Sequence, residues 1–384
     1  DVLVYRTKDY GKTWTQIADN DDLRGYALSF AQDPMEPKLY FVGAEFGLYV
    51  SFDEGANWHK WTHELPTMPI QDMVIHPRDH DLVLGTFGRS FWILDDIRPL
   101  REMASDDISN KDLHVFETPD ALLAIIGESI GYRHGKIGDA LYNGENRDYG
   151  ALISFYLKEG KNPDLKSKKS SKKEKFKAEE NVKIEIFDQY GELVRTLFEK
   201  PYRGVNRVNW RLDRNEPRNP MTAKPKSETR PRGGMSVPPG DYKIIVTYKD
   251  FKETQNVTVL PDPRVKVSDD DILLKNVMYA KHLAQIEELT EVTDEIRDFQ
   301  KSLKFWEEKL KAEKGEIDDV WKEKIKTIKK QVKDFEHQIV GEKKQGIYRR
   351  PETLSSQIFS MRSYLGHVLS KPTPNQELQM NLTT

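Results

Sequence analysis

Two short segments of this chain share one pattern, and their separation is the strongest constraint on its fold. Residues 7–14 read TKDYGKTW and residues 51–58 read SFDEGANW, so both follow [S/T]-x-D-x-G-x-[T/N]-W with an offset of 44 residues at every matched position. A period of about 40–45 residues is typical of a four-stranded β-propeller blade. The sequence therefore predicts consecutive propeller blades at the start of the chain.

The repeated pattern has a structural role in this prediction. In each copy the aspartate accepts backbone N–H groups in a tight turn, the glycine adopts a backbone conformation that other residues avoid, and the tryptophan packs between strands. The residues assigned this role are Asp9, Gly11, Trp14, Asp53, Gly55 and Trp58.

The strands predicted around the two copies do not complete a propeller. They lie at 2–6, 14–17, 26–30, 39–42, 48–51, 59–61, 70–75, 82–86 and 91–94. They make half a blade, a whole blade and most of a third, whereas a closed ring needs about 4–8 blades. An incomplete ring leaves sheet edges and apolar faces uncovered. We therefore expect the remaining blades to come from an N-terminal part of the same protein, removed by processing, or from another chain.

Two longer stretches carry a family resemblance. Residues 47–58, GLYVSFDEGANW, and 81–96, DLVLGTFGRSFWILDD, resemble exported bacterial proteins with sortilin-like BNR, or Asp-box, propellers, many of which are described as glycosyl hydrolases. The resemblance implies the C-terminal part of such a propeller, followed by a small sandwich and helices. It also implies an exported protein, located in the periplasm, at the outer membrane surface or outside the cell.

Composition and periodicity divide the rest of the chain. The predicted fold is mainly β with an α-helical tail: propeller blades over 1–112, a connector over 113–145, a β-sandwich over 146–263 and a helical domain over 264–384. Short alternating strands separated by turn residues favour an immunoglobulin-like or fibronectin-like sandwich. These strands are predicted at 150–157, 182–187, 194–198, 205–212, 241–248 and 255–260.

Two inserts interrupt the sandwich. The first, 161–180, contains the lysine-rich run KSKKSSKKEK at 166–175. It is either a contact for a polyanion or a solvated loop, and the absence of interleaved aromatic residues favours the loop. The second, 215–238, is rich in Pro, Arg and Gly and is predicted to be a loop as well.

The helical domain shows two apolar stripes at helical spacing. The first runs over 283–310 and the second over 317–339, with Gly315 between them. The stripes are expected to face each other in an antiparallel hairpin or bundle, with a third helix near 351–369. The alternative is a coiled coil that binds a partner.

The composition argues against several classes of function. The formal net charge is −3, which does not favour a nucleic-acid partner held by a positive field. The chain has no cysteine, which excludes disulfides, thiolate metal sites and cysteine nucleophiles. No apolar run approaches the roughly 18 residues of a transmembrane segment. No cofactor motif or metal site is predicted; the pairs His59/His63 and His76/His80 fall in strand or loop contexts and are expected to be surface residues.

Four charged residues are the candidates for ligand binding. Glu45 and Arg89 each precede the third strand of a blade, where they could line the mouth of the ring and contact a sugar or a peptide. The alternative for both is ion pairing between blades. Asp95 and Asp96 are adjacent, so in a strand they point to opposite faces and only one can face a given site.

Two functions follow from these residues. The first is a non-catalytic binding or scaffold protein of the bacterial cell envelope, whose propeller recognises a peptide, a glycan or a partner protein within a larger assembly. The second is a sialidase-like glycoside hydrolase whose active site is completed by blades outside this sequence. The lack of a recognisable acid–base pair favours the first.

Overall fold

The computed structural model describes residues 2–124, 147–162, 176–225, 227–315, 318–341, 353–366 and 368–382. Residues 125–145 of the predicted connector and the lysine-rich run 166–175 lie outside the described residues.

The first part of the chain forms three consecutive antiparallel sheets. Their strands are β1 (Val4–Arg6), β2 (Thr15–Ala18), β3 (Ala27–Gln32), β4 (Tyr40–Ala44), β5 (Gly47–Ser51), β6 (His59–Lys60), β7 (Ile70–Ile75), β8 (Leu82–Thr86) and β9 (Phe91–Leu94). The sheets are β1-β2, β3-β4-β5-β6 and β7-β8-β9, each in chain order. This order matches half a blade, a whole blade and three strands of the next, and is consistent with a propeller.

The second and third sheets pack through their central strands. Every residue of β4 and β5 is buried, because these strands are covered on both faces. Gly43 lies against the backbone of the third sheet: a Cβ there would be 2.7 Å from the carbonyl oxygen of Ile70. The Ser29 hydroxyl donates to the same oxygen at 3.0 Å. Glycine in the middle of this strand is therefore explained by the approach of the neighbouring backbone.

A short helix that the sequence did not predict follows the third sheet. Helix α1 (Arg98–Ser105) packs Leu100 and Ala104 into the core shared by the second and third sheets. Its Arg101 is buried and reaches Asp33 after β3, with 2.8 Å between Arg101 Nη2 and Asp33 Oδ2. The helix is therefore fixed to the blades by both apolar burial and an ion pair.

The middle of the chain forms two larger sheets around one core. The strands are β10 (Leu113–Val115), β11 (Ala121–Leu123), β12 (Ala151–Leu157), β13 (Val182–Phe187), β14 (Leu193–Glu199), β15 (Gly204–Trp210), β16 (Asp213–Asn215), β17 (Gly233–Ser236), β18 (Gly240–Tyr248) and β19 (Phe251–Pro261). One sheet has the order β10-β12-β15 and the other β11-β19-β18-β13-β14, while β16 and β17 form a separate pair. Residues of both larger sheets belong to one hydrophobic cluster. The immunoglobulin-like or fibronectin-like assignment stays a prediction.

Strands also occur where the sequence predicted a connector and a loop. Within 113–124, β10 pairs with β12, and β11 runs parallel to β19. Within 215–238, β17 pairs with β16. Each of these strands has only three or four residues, too few for a period-2 pattern to be recognised in the sequence.

The chain ends in four helices: α2 (Asp269–Lys314), α3 (Asp319–Val340), α4 (Leu354–Leu365) and α5 (Pro374–Leu382). The Ser268 side chain caps α2 by accepting from Asp271 N at 3.2 Å. Near its start, α2 places Met278 and Tyr279 in the core of the two larger sheets. Beyond that contact, α2 and α3 extend as an antiparallel hairpin. None of the helices in these described ranges is long and apolar enough to cross a membrane.

Candidate ligand-binding face

The order of the blade strands separates two ends of each sheet. Both copies of the repeated pattern connect the third and fourth strands of a blade, β1 to β2 and β5 to β6. The turns β4–β5 and β8–β9 connect the second strand to the third and therefore lie at the opposite end. Glu45 and Arg89 belong to these two turns. The structure thus places these two candidates at the same end of adjacent blades.

Glu45 is held beside the loop that enters the second blade. Its backbone N–H donates to Tyr26 O at 3.0 Å. Gly25, with φ of 82°, packs beneath it: a Cβ there would be 2.8 Å from Glu45 Cβ and 2.7 Å from Phe46 Cδ2. The Arg24 guanidinium lies 4.7 Å from the centre of the Phe46 ring. The turn and the loop therefore bring the Arg24 cation, the Glu45 carboxylate and the Phe46 ring together.

Arg89 is presented by a tight turn in the third blade. Thr86 N donates to Ser90 O at 3.1 Å, and Phe87 N donates to Pro69 O at 3.0 Å. The side chains of Phe87, Arg89 and Phe91 are all exposed. The third blade thus adds one cation between two solvent-exposed rings.

Glu45 and Arg89 have no hydrogen-bond or ion-pair partner on their side-chain charges among the described residues. Ion pairing between blades was the alternative explanation for these positions, and within the described ranges neither residue forms such a pair. The two charges are therefore available to a ligand.

Asp95 and Asp96 lie at the other end of β9, away from Glu45 and Arg89. Asp96 is buried, and its Oδ1 accepts from Arg98 Nε at 2.7 Å. Arg207 of β15 donates to the carbonyl oxygen of Asp95 at 2.6 Å and to that of Asp96. Burial raises the pKa of the Asp95 carboxyl group. These aspartates therefore join the third blade to the two larger sheets, and the four candidates do not form one site.

The predicted Asp-box residues adopt the same hydrogen-bond pattern in both copies. Thr13 N donates to Asp9 Oδ1 at 2.8 Å, and Asn57 N donates to Asp53 Oδ1 at 2.9 Å. The glycine N–H donates to the first residue of the box, Gly11 to Thr7 at 2.8 Å and Gly55 to Ser51 at 2.9 Å. These contacts close each turn from within.

The histidine pairs have local roles. His80 Nδ1 lies 2.9 Å from Arg101 Nη1, and burial together with this arginine lowers the pKa of His80. His76 Nδ1 accepts from Asp79 N at 3.1 Å. Within the part of the chain that the structure describes, no three His, Asp or Glu side chains are grouped so as to hold a metal ion.

Sequence reasoning missed Arg24, Tyr26 and Phe46 on this face. They flank the entry into β3 and the β4–β5 turn, so their positions depend on how the loop folds over the turn. The sequence feature that could have pointed to these residues is Gly25, which stands between a cation and an aromatic residue directly before a predicted strand.

The first part of the chain is similar to known proteins of the sortilin and Vps10 type. Residues 3–100 match the Sortilin-Vps10 family model, described as "Sortilin, neurotensin receptor 3". The chain is 25% identical over 114 residues to vacuolar protein sorting/targeting protein 10 of Leptosphaeria maculans, covering 27% of this chain and 7% of that protein. It is 24% identical over 159 residues to the Pyrenophora teres f. teres protein of the same name, covering 40% of this chain and 8% of that protein.

The matched part is therefore a small fraction of these fungal relatives, and a bacterial origin is not confirmed. Among solved structures, dimeric latent PorU from Porphyromonas gingivalis matches 29% of this chain and 8% of its own, with 16% identity and a TM-score of 0.17. A score this low carries no argument about fold or function.

Proposed function

We propose that this chain is a non-catalytic binding protein whose blades recognise an extended segment of a protein partner at the end that carries Glu45 and Arg89. The observation that carries the proposal is the pair of unpartnered opposite charges on adjacent blades: Glu45 beside the half-buried Phe46, and Arg89 in a turn with the exposed Phe87 and Phe91. The family match supports a receptor-like function of this kind, because the matched residues, 3–100, contain the whole face.

The chemistry of the face suits a peptide. A peptide offers charged side chains to Glu45 and Arg89, and apolar side chains to the rings of Tyr26 and Phe87. Tyr and Arg are among the residues that contribute most to binding energy at protein interfaces. Exposed rings next to unpaired charges can therefore bind a mixed polar and apolar segment.

The glycoside hydrolase alternative has less support in this part of the molecule. Glycosidases need two carboxyl groups about 5–10 Å apart around the bond to be cleaved. Of the four candidates only Glu45 places a carboxylate on this face, since Asp95 and Asp96 lie at the junction with the two larger sheets. A hydrolase would need a second carboxylate beside Glu45, and neither of these two aspartates supplies it.

The location and the wider role are part of the same proposal. The partner would be met along the secretory or export route, and the two-sheet unit and the helices would dock the blades in a larger assembly. A cell-envelope scaffold is one form of this role.

Selection of ligands on the full chain tests the proposal. A displayed library of random linear peptides and a glycan array are probed in parallel. We expect selected peptides whose affinity falls by about tenfold or more, or at least about 1.4 kcal/mol, in the Glu45→Ala/Arg89→Ala variant. Lys12→Ala is the control, because Lys12 is exposed in the first Asp box at the opposite end of the blades.

The same assays can reject the proposal. Peptide binding that survives the Glu45→Ala/Arg89→Ala change places the site elsewhere. Hydrolysis of fluorogenic glycosides that is lost in Glu45→Gln supports the glycoside hydrolase instead.

A further inference from the structure

The outer half of the α2–α3 hairpin has two faces of opposite character. Polar contacts between the helices cover one face: Arg297 Nε lies 3.2 Å from Glu336 Oε1, and Gln300 donates to Glu336 Oε2 at 3.0 Å. Lys329 pairs with Glu307 nearer the tip. These contacts hold the two helices together along that side.

Large apolar side chains occupy the other face and remain in solvent. Six of them are between 36% and 57% exposed: Val292, Phe299 and Trp306 on α2, and Trp321, Ile328 and Phe335 on α3. Each set recurs every seven residues. A strict seven-residue repeat keeps side chains on one side of a helix and is the repeat of a coiled-coil seam.

The two rows meet on the same side of the hairpin. Phe299 and Phe335 line one shallow cavity of about 380 Å³, together with Ile296 and Val332. Because α3 runs antiparallel to α2, Trp306 lies near the level of Ile328, two helical turns further towards the tip. The sequence predicts that the two stripes face each other. These two rows instead lie along one side of the contact between the helices and stay about half exposed.

The charges at the border of this face change sign along the hairpin. Glu295 lines the cavity at the base end and has no ion-pair partner among the described residues. At the tip end, Lys309 Nζ lies 5.2 Å from the Trp306 ring and Lys324 Nζ lies 5.1 Å from the Trp321 ring. Lys309 also has a long, exposed ion pair of 3.9 Å with Glu313 on its own helix, which a closer partner can replace. The face is therefore acidic at its base and basic at its tip.

We propose that this face binds the same face of a second copy of the chain, with the two hairpins antiparallel in a four-helix bundle. A twofold axis near residue 302 places Glu295 of one copy beside Lys309 of the other, because these residues lie equally far from 302 on α2. A parallel pair would bring the two acidic ends together at one end and the two basic ends together at the other. An isologous contact of this kind is the commonest arrangement in soluble oligomers.

Sedimentation equilibrium of the full chain tests the proposal. We expect a reversible dimer of twice the 44.7 kDa chain mass. Phe299→Glu and Phe335→Glu should each weaken the dimer by about 100-fold or more, since each buries a charge in an apolar seam. Leu274→Glu is the matched control: it changes an apolar side chain on the same helix that is 45% exposed and lies near the start of α2, outside the two rows.

Charge reversal tests the antiparallel arrangement. Lys309→Glu and Glu295→Lys should each weaken the dimer by about fivefold, and the double variant should recover most of the loss. Far-UV circular dichroism verifies that each variant keeps its helices.

Three results would overturn the proposal. The first is a chain that stays monomeric at all concentrations. The second is a dimer broken by Leu3→Glu on the first blade but not by Phe299→Glu, which would place the contact on the blades. The third is a monomer that binds phosphatidylserine vesicles through Phe299 and Lys309, which would make a lipid surface the partner.

Discussion

The two Asp boxes have the same internal structure but different surroundings. In the second box, Trp58 Nε1 donates to Ile17 O of the preceding half-blade at 2.7 Å, and Glu54 pairs with Arg6 at 2.7 Å. In the first box, Trp14 Nε1 donates to Gly11 O of its own turn at 3.1 Å. The side chain of Trp14 is 60% exposed, and Tyr10, at the position of Glu54, is fully exposed.

The difference shows that the residues of the box have two separate structural roles. Its aspartate, glycine and hydroxyl groups close the turn without help from a neighbour, as the first box demonstrates. Its tryptophan and the residue before its glycine contact the previous blade when one is present. The exposed surface of Trp14, Tyr10 and Leu3 therefore has the features of the surface that a preceding blade would cover, as β2 covers the second box.

The largest expected effect on stability concerns the side of the second blade that packs against the third blade and α1. Arg101→Ala leaves the Asp33 carboxylate buried without its ion pair, and breaking a buried pair in this way costs about 3–5 kcal/mol. Urea unfolding of the blades should show this loss. If the cost is below about 1 kcal/mol, the third blade and α1 are not fixed as the structure describes.

The second prediction compares the two tryptophans directly. Trp58→Ala should destabilise the chain by about 2 kcal/mol, because the ring packs against the first half-blade and donates a hydrogen bond to it. Trp14→Ala should cost about 0.5 kcal/mol or less, as expected for an exposed side chain. Thermal unfolding of both variants gives the difference, and equal losses would contradict the separation of roles.

How much of this could be predicted from sequence depends on which residues carry the information. The blade strands were predicted because the box spacing and the alternation are local patterns. Helix α1 was missed because eight residues are too few for a stable helix without tertiary contacts, and Arg101–Asp33 joins positions far apart in sequence. Glu45 and Arg89 were placed together because they occupy equivalent turns. Sequence could not place Asp95 and Asp96 at the junction with the larger sheets, because Arg207, which donates to their carbonyl oxygens, lies in another sheet.

The third prediction compares how the stability contributed by each box depends on pH. Burial raises the pKa of Asp53, but hydrogen bonds from Asn57 and Ser51 outweigh it, so the pKa lies below the usual value. The pKa of Asp9 is lowered by hydrogen bonds from Thr13. Lowered values mean that both boxes stabilise the fold above the ordinary aspartate pKa and lose this effect as the pH falls through the native values.

The variant Asp53→Asn should therefore show a smaller fall in melting temperature than the parent chain between about pH 5 and pH 2. Asp9→Asn should also show a smaller fall in melting temperature than the parent chain, but the difference should be less than for Asp53→Asn. The first box contacts no preceding blade among the described residues, so opening it breaks fewer contacts. A parent chain whose melting temperature is unchanged over this range would contradict the role of the carboxylates.

The smallest expected effect comes from the residue before each glycine. Tyr10 and Glu54 both have left-handed backbones, with φ of 58° and 59°. Asparagine tolerates this conformation better than tyrosine. Because the exposed Tyr10 ring makes no contact that the substitution would remove, Tyr10→Asn should stabilise the chain by about 0.5 kcal/mol. Glu54→Asn gains the same relief but loses the pairs with Arg6 and Lys8, and should therefore be net destabilising. Changes in melting temperature of opposite sign for the two variants would show that the second box contacts its neighbour through Glu54. A rise in melting temperature for Glu54→Asn would show that these ion pairs add nothing to the contact between the blades.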